Sequence, residues 1–257
     1  MSYPRGAIPR RANSDRAELD RREGWRHERG RTVPPTVTDG GNNRSCAPKP
    51  RLRGVSHQIA FLAAVPAAVA VVLTTNGGIA RAGGTVFAFS VAAMFGVSSI
   101  FHRGSWTPTA FRRLGRLDHA MVYALIAGTY TPIVLLVVHH GWRAPILATV
   151  WGAACLAAAI KLVWANPPTW LAPSIGIGLG WTAVIVLPQV AGAIGLAGTL
   201  LLLAGGLAYT VGAVVYTRQR PSPAPATFGY HELFHALVIV AVACQYSTIV
   251  FYVLPRA

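Results

Sequence analysis

Between residue 54 and Ala257 the chain carries only two carboxylates, Asp118 and Glu232, scattered among apolar runs of about 20 residues. A helix of that length covers the roughly 30 Å hydrocarbon layer of a bilayer and satisfies its own backbone hydrogen bonds. The pattern predicts an all-α polytopic membrane protein, a bundle of seven transmembrane helices. The spans fall at about 56–75, 84–102, 118–138, 144–163, 170–190, 195–216 and 231–254. Turn-forming residues separate most of them: Thr74 to Gly78, His139 to Gly141, Asn166 to Pro168, and Pro221 to Pro225. The break between the fifth and sixth spans is marked by glycine alone.

The residues before the first span have the opposite character. Thirteen of the 23 Lys and Arg and six of the eight Asp and Glu lie at or before Arg53. This stretch is rich in Arg, Pro, Gly and Asn and lacks apolar periodicity, so it cannot bury enough surface to offset its ordering entropy. The chain therefore divides into a disordered basic tail over 1–54 and a membrane domain over 55–257. No short apolar stretch follows the first basic residues, which argues against a cleavable signal peptide. Trp25 is the tail's one tryptophan, and basic residues without interleaved aromatics on a fold argue against a nucleic-acid partner. Membrane lipids are the expected surroundings. Cys46, Cys155 and Cys244 have neither disulfide nor metal spacing and read as unpaired.

Basic residues concentrate on the cytoplasmic side of membrane proteins. With the N-terminus inside the plasma (inner) membrane, that side holds the tail, Arg103, Arg112, Arg113, Arg116, Lys161, Arg218 and Arg220. Arg81, Arg143 and Arg256 fall outside. Seven spans put the C-terminus outside.

An ionisable residue inside a span is costly, about 2.5–3.5 kcal/mol for Asp at a helix centre, and marks a candidate functional site. Asp118 and Glu232 each adjoin a histidine, and under this topology Ser98, His102, Asp118, His231 and His235 gather at the cytoplasmic face. His231 and His235 are four residues apart and share a helix face, as two ligands of one metal do. A third imidazole would leave an open position, the form of catalytic zinc sites. His102, which shares a helix face with Ser98, and His57 both stand near enough in topology to supply it. Asp118 suits the support of a metal-bound water or of a ligand imidazole. His119, His139 and His140 read as ordinary helix-end histidines.

His231 to His235 also matches the H-E-x-x-H pattern of zinc proteases, in which Glu is the general base. Such enzymes take a third ligand downstream, and no His, Asp or Glu follows His235. Glu232 points about 100° away from His231 around the helix, outside the metal's immediate surroundings.

Ser98-x-x-x-His102, Arg116-Leu117-Asp118, Ile126 to Pro132, and His231-Glu232-Leu233-Phe234-His235 together resemble the hemolysin III family, the bacterial branch of the progestin and adiponectin receptor proteins. The resemblance covers the chain from about residue 56. It implies a seven-helix fold with zinc near the cytoplasmic face, held by His102, His231 and His235, with Asp118 holding the zinc-bound water and Ser98 as the neighbouring hydroxyl. The wider superfamily includes alkaline ceramidases, which implies metal-dependent hydrolysis of an amide or ester in a lipid-like small molecule. Family members often carry E-x-x-N-x-x-T-H before the first span. Here the Glu and Asn positions are Pro50 and Arg53, and His57 follows Ser56, so no role carries over to His57.

The expectation is thus a zinc-dependent hydrolase in which Asp118 and Ser98 act on the reacting groups. The alternative is a non-enzymatic receptor, channel or cytolytic protein with structural zinc. A pore would want a polar lining along a helix face, and a transporter would want acids at mid-membrane depth; the sequence offers little of either.

Overall fold

A computed structural model describes residues 50–164, 168 and 170–256. Of the tail expected over 1–54, all but residues 50–54 lie outside the described residues, as does Cys46. The described residues are helical, apart from turns and one isolated bridge between Ala224 and Phe228. The helices are α1 (Val55–Thr74), α2 (Gly78–Arg103), α3 (Pro108–Val137), α4 (His140–Val163), α5 (Leu171–Trp181), α6 (Leu187–Arg218) and α7 (Tyr230–Thr248). A tighter turn, Thr182–Val186, joins α5 to α6, and α7 runs on through a wider turn, Ile249–Val253, to Arg256.

Six helical stretches among the described residues are long and apolar enough to cross a membrane. One of them, Leu171–Arg218, is 48 residues long and contains both α5 and α6. At 1.5 Å per residue a straight helix of that length would span about 72 Å, more than twice the hydrocarbon thickness. It is not straight: Gly195 has φ 70° and ψ −178°, a backbone conformation open almost only to glycine.

The starts of α2, α3 and α4 lie earlier than the apolar pattern alone indicates. Thr107 caps α3 by accepting a hydrogen bond from the Ala110 N–H at 3.3 Å, and Pro108 occupies the first turn. Asp118 therefore sits nearly three turns inside α3. The intervening Arg112, Arg113 and Arg116 are compatible with a helix that extends past the hydrocarbon, since they keep their charges at its edge.

The centre of the domain is α2 and α3. In each, 56% of the most apolar window is buried, against 11% in α1 and 17% in α4. Phe87, Leu125, Val134 and Ile249 are enclosed in the shared core. Close approach of α2 to α3 is built on Gly128, where an added Cβ would stand 2.2 Å from Ser90 Oγ. Helices α6 and α7 pack antiparallel through Gly198, Gly205 and Gly212, spaced seven apart, against Tyr252, Gln245 and Phe234. Lipid tails give helices no hydrophobic reason to associate, so contact over small residues supplies the packing attraction.

Long-range hydrogen bonds give the course of the 48-residue stretch. Tyr123 donates to the Ala172 carbonyl at 3.1 Å, Tyr130 to the Leu179 and Gly180 carbonyls at 3.0 and 2.8 Å, and the His139 N–H to Gln189 Oε1 at 3.2 Å. α5 thus runs alongside α3 in the same direction. Tyr216, near the end of α6, is 3.2 Å from His119, back beside the start of α3. The Tyr130 hydroxyl thus meets the backbone of α5 where the helix tightens at Trp181.

Candidate metal centre

Four helices contribute to one buried cluster. His102 closes the last turn of α2, Asp118 lies in α3, His231 and His235 occupy the first two turns of α7, and His57 lies in the first turn of α1. All five side chains are buried, as is Ser98. The i, i+4 spacing places His231 and His235 on one face of α7, with ring centroids 4.6 Å apart. His102 completes a triangle, 4.7 Å from His231 and 5.0 Å from His235 between centroids.

One ligand atom from each of His102, His231 and His235 falls within 4.8 Å of the others. His102 Nε2 and His231 Nε2 face each other at 3.2 Å. Two nitrogens bound tetrahedrally at about 2.0–2.1 Å to one zinc ion would stand about 3.3–3.4 Å apart, so this pair fits a shared ion with little movement. His235 Nδ1 is buried with no hydrogen-bond partner, a costly arrangement for a polar atom that a ligand would relieve. The donor set is all imidazole, which suits zinc among the common divalent ions.

Asp118 faces this cluster. Its Oδ2 lies 3.5 Å from His102 Nε2, the same nitrogen that faces His231. Ser98, one turn before His102 on α2, places its hydroxyl 2.8 Å from His57 Nδ1. The structure thus brings together all five residues expected at the site.

Glu232 has a different position and a different task. Its Oε2 accepts the Gly229 N–H at 2.8 Å, capping α7, and its Oε1 accepts a short hydrogen bond from Arg53 Nε. It is a structural carboxylate, turned away from the histidines as the helix geometry requires. His119 pairs with Tyr216. His139 and His140 are exposed at the opposite end of the domain. A cavity of about 360 Å³ at that end is lined by Gly77, Leu135, Arg143 and Arg256 among others.

Two residues to which the sequence assigned no role belong to this neighbourhood. His57 stacks on His235 with centroids 3.7 Å apart and planes 8° from parallel. Arg53 holds Glu232. Local spacing marks neither, because both lie at the entry to the first helix and contact residues of the last one, Glu232 and His235.

A family model described as Haemolysin-III related matches residues 46–246. The chain is 28% identical over 208 residues to Hemolysin-3 of Bacillus cereus, covering 79% of this chain and 91% of that one. It is 27% identical over 201 residues to a Hemolysin-3 homolog of Bacillus subtilis strain 168, covering 77% and 91%.

Proposed function

Because this chain belongs to the haemolysin III-related family of integral membrane proteins, we propose that it is a metal-dependent hydrolase acting on an amide or ester in a lipid-like small molecule. The observation that carries this reading is the convergence of His102, His231 and His235, with ligand atoms within 4.8 Å, beside a buried carboxylate and a buried hydroxyl.

His102, His231 and His235 would hold zinc. When bound at such a site, zinc lowers the pKa of water towards neutrality and polarises a carbonyl. The chain's own groups supply the rest. Asp118 is placed on the His102 side of the cluster, where its carboxylate can take and hold a proton at Oδ2. The Ser98 hydroxyl, oriented by His57, can donate a hydrogen bond to negative charge developing on a substrate oxygen. Burial of the whole set strengthens each of these interactions by excluding water. Arg53 closes the set from the side of the tail and keeps Glu232 occupied, so Asp118 is left as the acid facing the histidines.

The proposed topology has seven crossings, with the N-terminus cytoplasmic and the C-terminus outside. What supports it is the course of the stretch Leu171–Arg218. It begins beside Tyr123, reaches His139 through Gln189, and returns to His119 through Tyr216. It therefore reverses, and Gly195 is the non-helical residue within Leu187–Arg218. Arg81, Arg143 and Arg256 share the end opposite the histidines, while Arg103, Arg112, Arg113 and Arg116 lie at the histidine end. On the positive-inside rule, that asymmetry supports a cytoplasmic position for the histidines.

The test is metal analysis of detergent-purified protein followed by hydrolysis of ceramide-like amides on the same samples. The reading expects about one zinc per chain, lost in His235→Ala, and turnover lost in Asp118→Asn. Bound zinc with no turnover on amide or ester lipids would favour a non-enzymatic member of the family with structural zinc. Absence of stoichiometric metal would end the proposal.

A further inference from the structure

The segment entering α1 touches the histidine cluster at three successive points. Arg53 pairs with Glu232 on α7. Gly54, at φ 77°, lies so close to α2 that an added Cβ would stand 2.5 Å from His102 Cβ. His57 then covers His235. The segment is tied down before it reaches the cluster, because the Arg51 and Leu52 N–H groups donate to the Ala226 and Thr227 carbonyls, each at 3.2 Å. Residues 50–54, expected to belong to the disordered tail, are thus fixed in turns against the loop that leads into α7.

His57 is 2% exposed and boxed in on several sides. One face lies on His235 at 3.7 Å, Phe95 packs at 5.0 Å and 69°, and Nδ1 meets Ser98 Oγ at 2.8 Å. The parallel stack excludes it as a fourth ligand. An imidazole binds a metal in its own plane, and an ion in the plane of His235 would stand off the plane of His57 by nearly the ring separation. That is far beyond a bond of about 2.0–2.1 Å.

A ligating imidazole keeps its lone pair on the metal only while its ring is held in one orientation, and the ring of His57, nearly parallel to that of His235 at 3.7 Å, restricts that turn by contact. We infer that His57 is a positioning residue for the metal centre, fixing the ring of His235 by stacking and the hydroxyl of Ser98 by a hydrogen bond. This inference rests on the metal reading above.

The experiment titrates Co²⁺, whose visible absorption reports ligand geometry, into the full-length protein in detergent. Wild type, His57→Ala, His57→Asn and His57→Phe are compared. Loss of the stacked ring in His57→Ala and His57→Asn is expected to weaken Co²⁺ binding about 10–100-fold and to shift the absorption bands. His57→Phe keeps a ring face without a nitrogen and is expected to restore affinity and bands close to wild type. Binding and bands unchanged in His57→Asn, a variant that keeps a polar partner for Ser98, would overturn the inference even if His57→Ala failed to fold. So would His57→Phe behaving no better than His57→Asn. Wild type taking up no Co²⁺ would overturn the metal reading itself and this inference with it; uptake by wild type confines any failure to His57.

Discussion

Arg53 and Glu232 are 179 residues apart in the chain and form a hydrogen-bonded ion pair in which the glutamate is almost fully enclosed. The pair ties the segment before α1 to the first turn of α7, the helix that presents two of the three cluster histidines. Glu232 also caps that helix through the Gly229 N–H. One carboxylate therefore closes the chain's entry into the membrane domain onto its last helix.

Removing the arginine leaves a buried carboxylate without its cation, which costs about 3–5 kcal/mol in comparable pairs. Arg53 retains 20% side-chain exposure, so Arg53→Ala should fall at the low end of that range. Glu232→Ala strands a more exposed charge but also removes the helix cap, a further loss of about 1 kcal/mol. Thermal unfolding in detergent should show both variants melting well below wild type. A pair of variants that melt like wild type would mean that the ion pair is not formed in the membrane protein.

Metal should distinguish the histidines by location. His102→Ala, His231→Ala and His235→Ala are each expected to lose stoichiometric zinc, while His139→Ala and His140→Ala, exposed at the other end, should retain it. Asp118→Asn should keep the ligands and weaken zinc affinity about 10–100-fold. Elemental analysis against protein concentration decides the point; zinc lost equally from His139→Ala would show that the loss is not site-specific.

Packing of α2 on α3 should respond to a single methyl group. Gly128→Ala places a Cβ 2.2 Å from Ser90 Oγ and 2.6 Å from Ser90 Cβ, and overpacking of this kind typically costs about 1–3 kcal/mol. Ser90→Gly should relieve the clash in the double variant. Melting temperatures of the two single variants and the double variant test this, and additive losses would refute it.

Gly195→Ala offers the reverse case. Nothing lies within 4 Å of the added methyl group, so space is no obstacle, yet the backbone conformation excludes a side chain. A cost of about 1–3 kcal/mol from backbone strain alone is expected. Equal melting of Gly195→Ala and wild type would show that the reversal does not depend on this conformation.

Much of the architecture is legible in the sequence because a bilayer imposes a length and a polarity on each helix. The i, i+4 pair His231 and His235 declares its shared face directly, and the scarcity of acids singles out Asp118. The start of α3 was misplaced by about ten residues because Arg112, Arg113 and Arg116 read as loop, whereas Thr107 and Pro108 begin the helix before them. The break within Leu171–Arg218 is hard to read for a different reason: glycine recurs throughout this stretch, and only backbone geometry distinguishes Gly195 from the rest. The contacts of His57 with His235 and of Arg53 with Glu232 are not legible in the sequence because the partners are some 180 residues away, and nothing in local spacing reports a contact of that range.

The reversal at Gly195 has a consequence for biosynthesis. Leu171 to Thr217 contains no charged side chain, so the bend between the two halves has nothing to hold it at the head-groups. Orientation of such a segment cannot be decided by its own loop. On the seven-crossing reading, the arms before and after Gly195 enter the bilayer as one hairpin, steered by Lys161 before it and by Arg218 and Arg220 after it. On that reading, the side on which the two α7 histidines emerge is decided by cations remote from them.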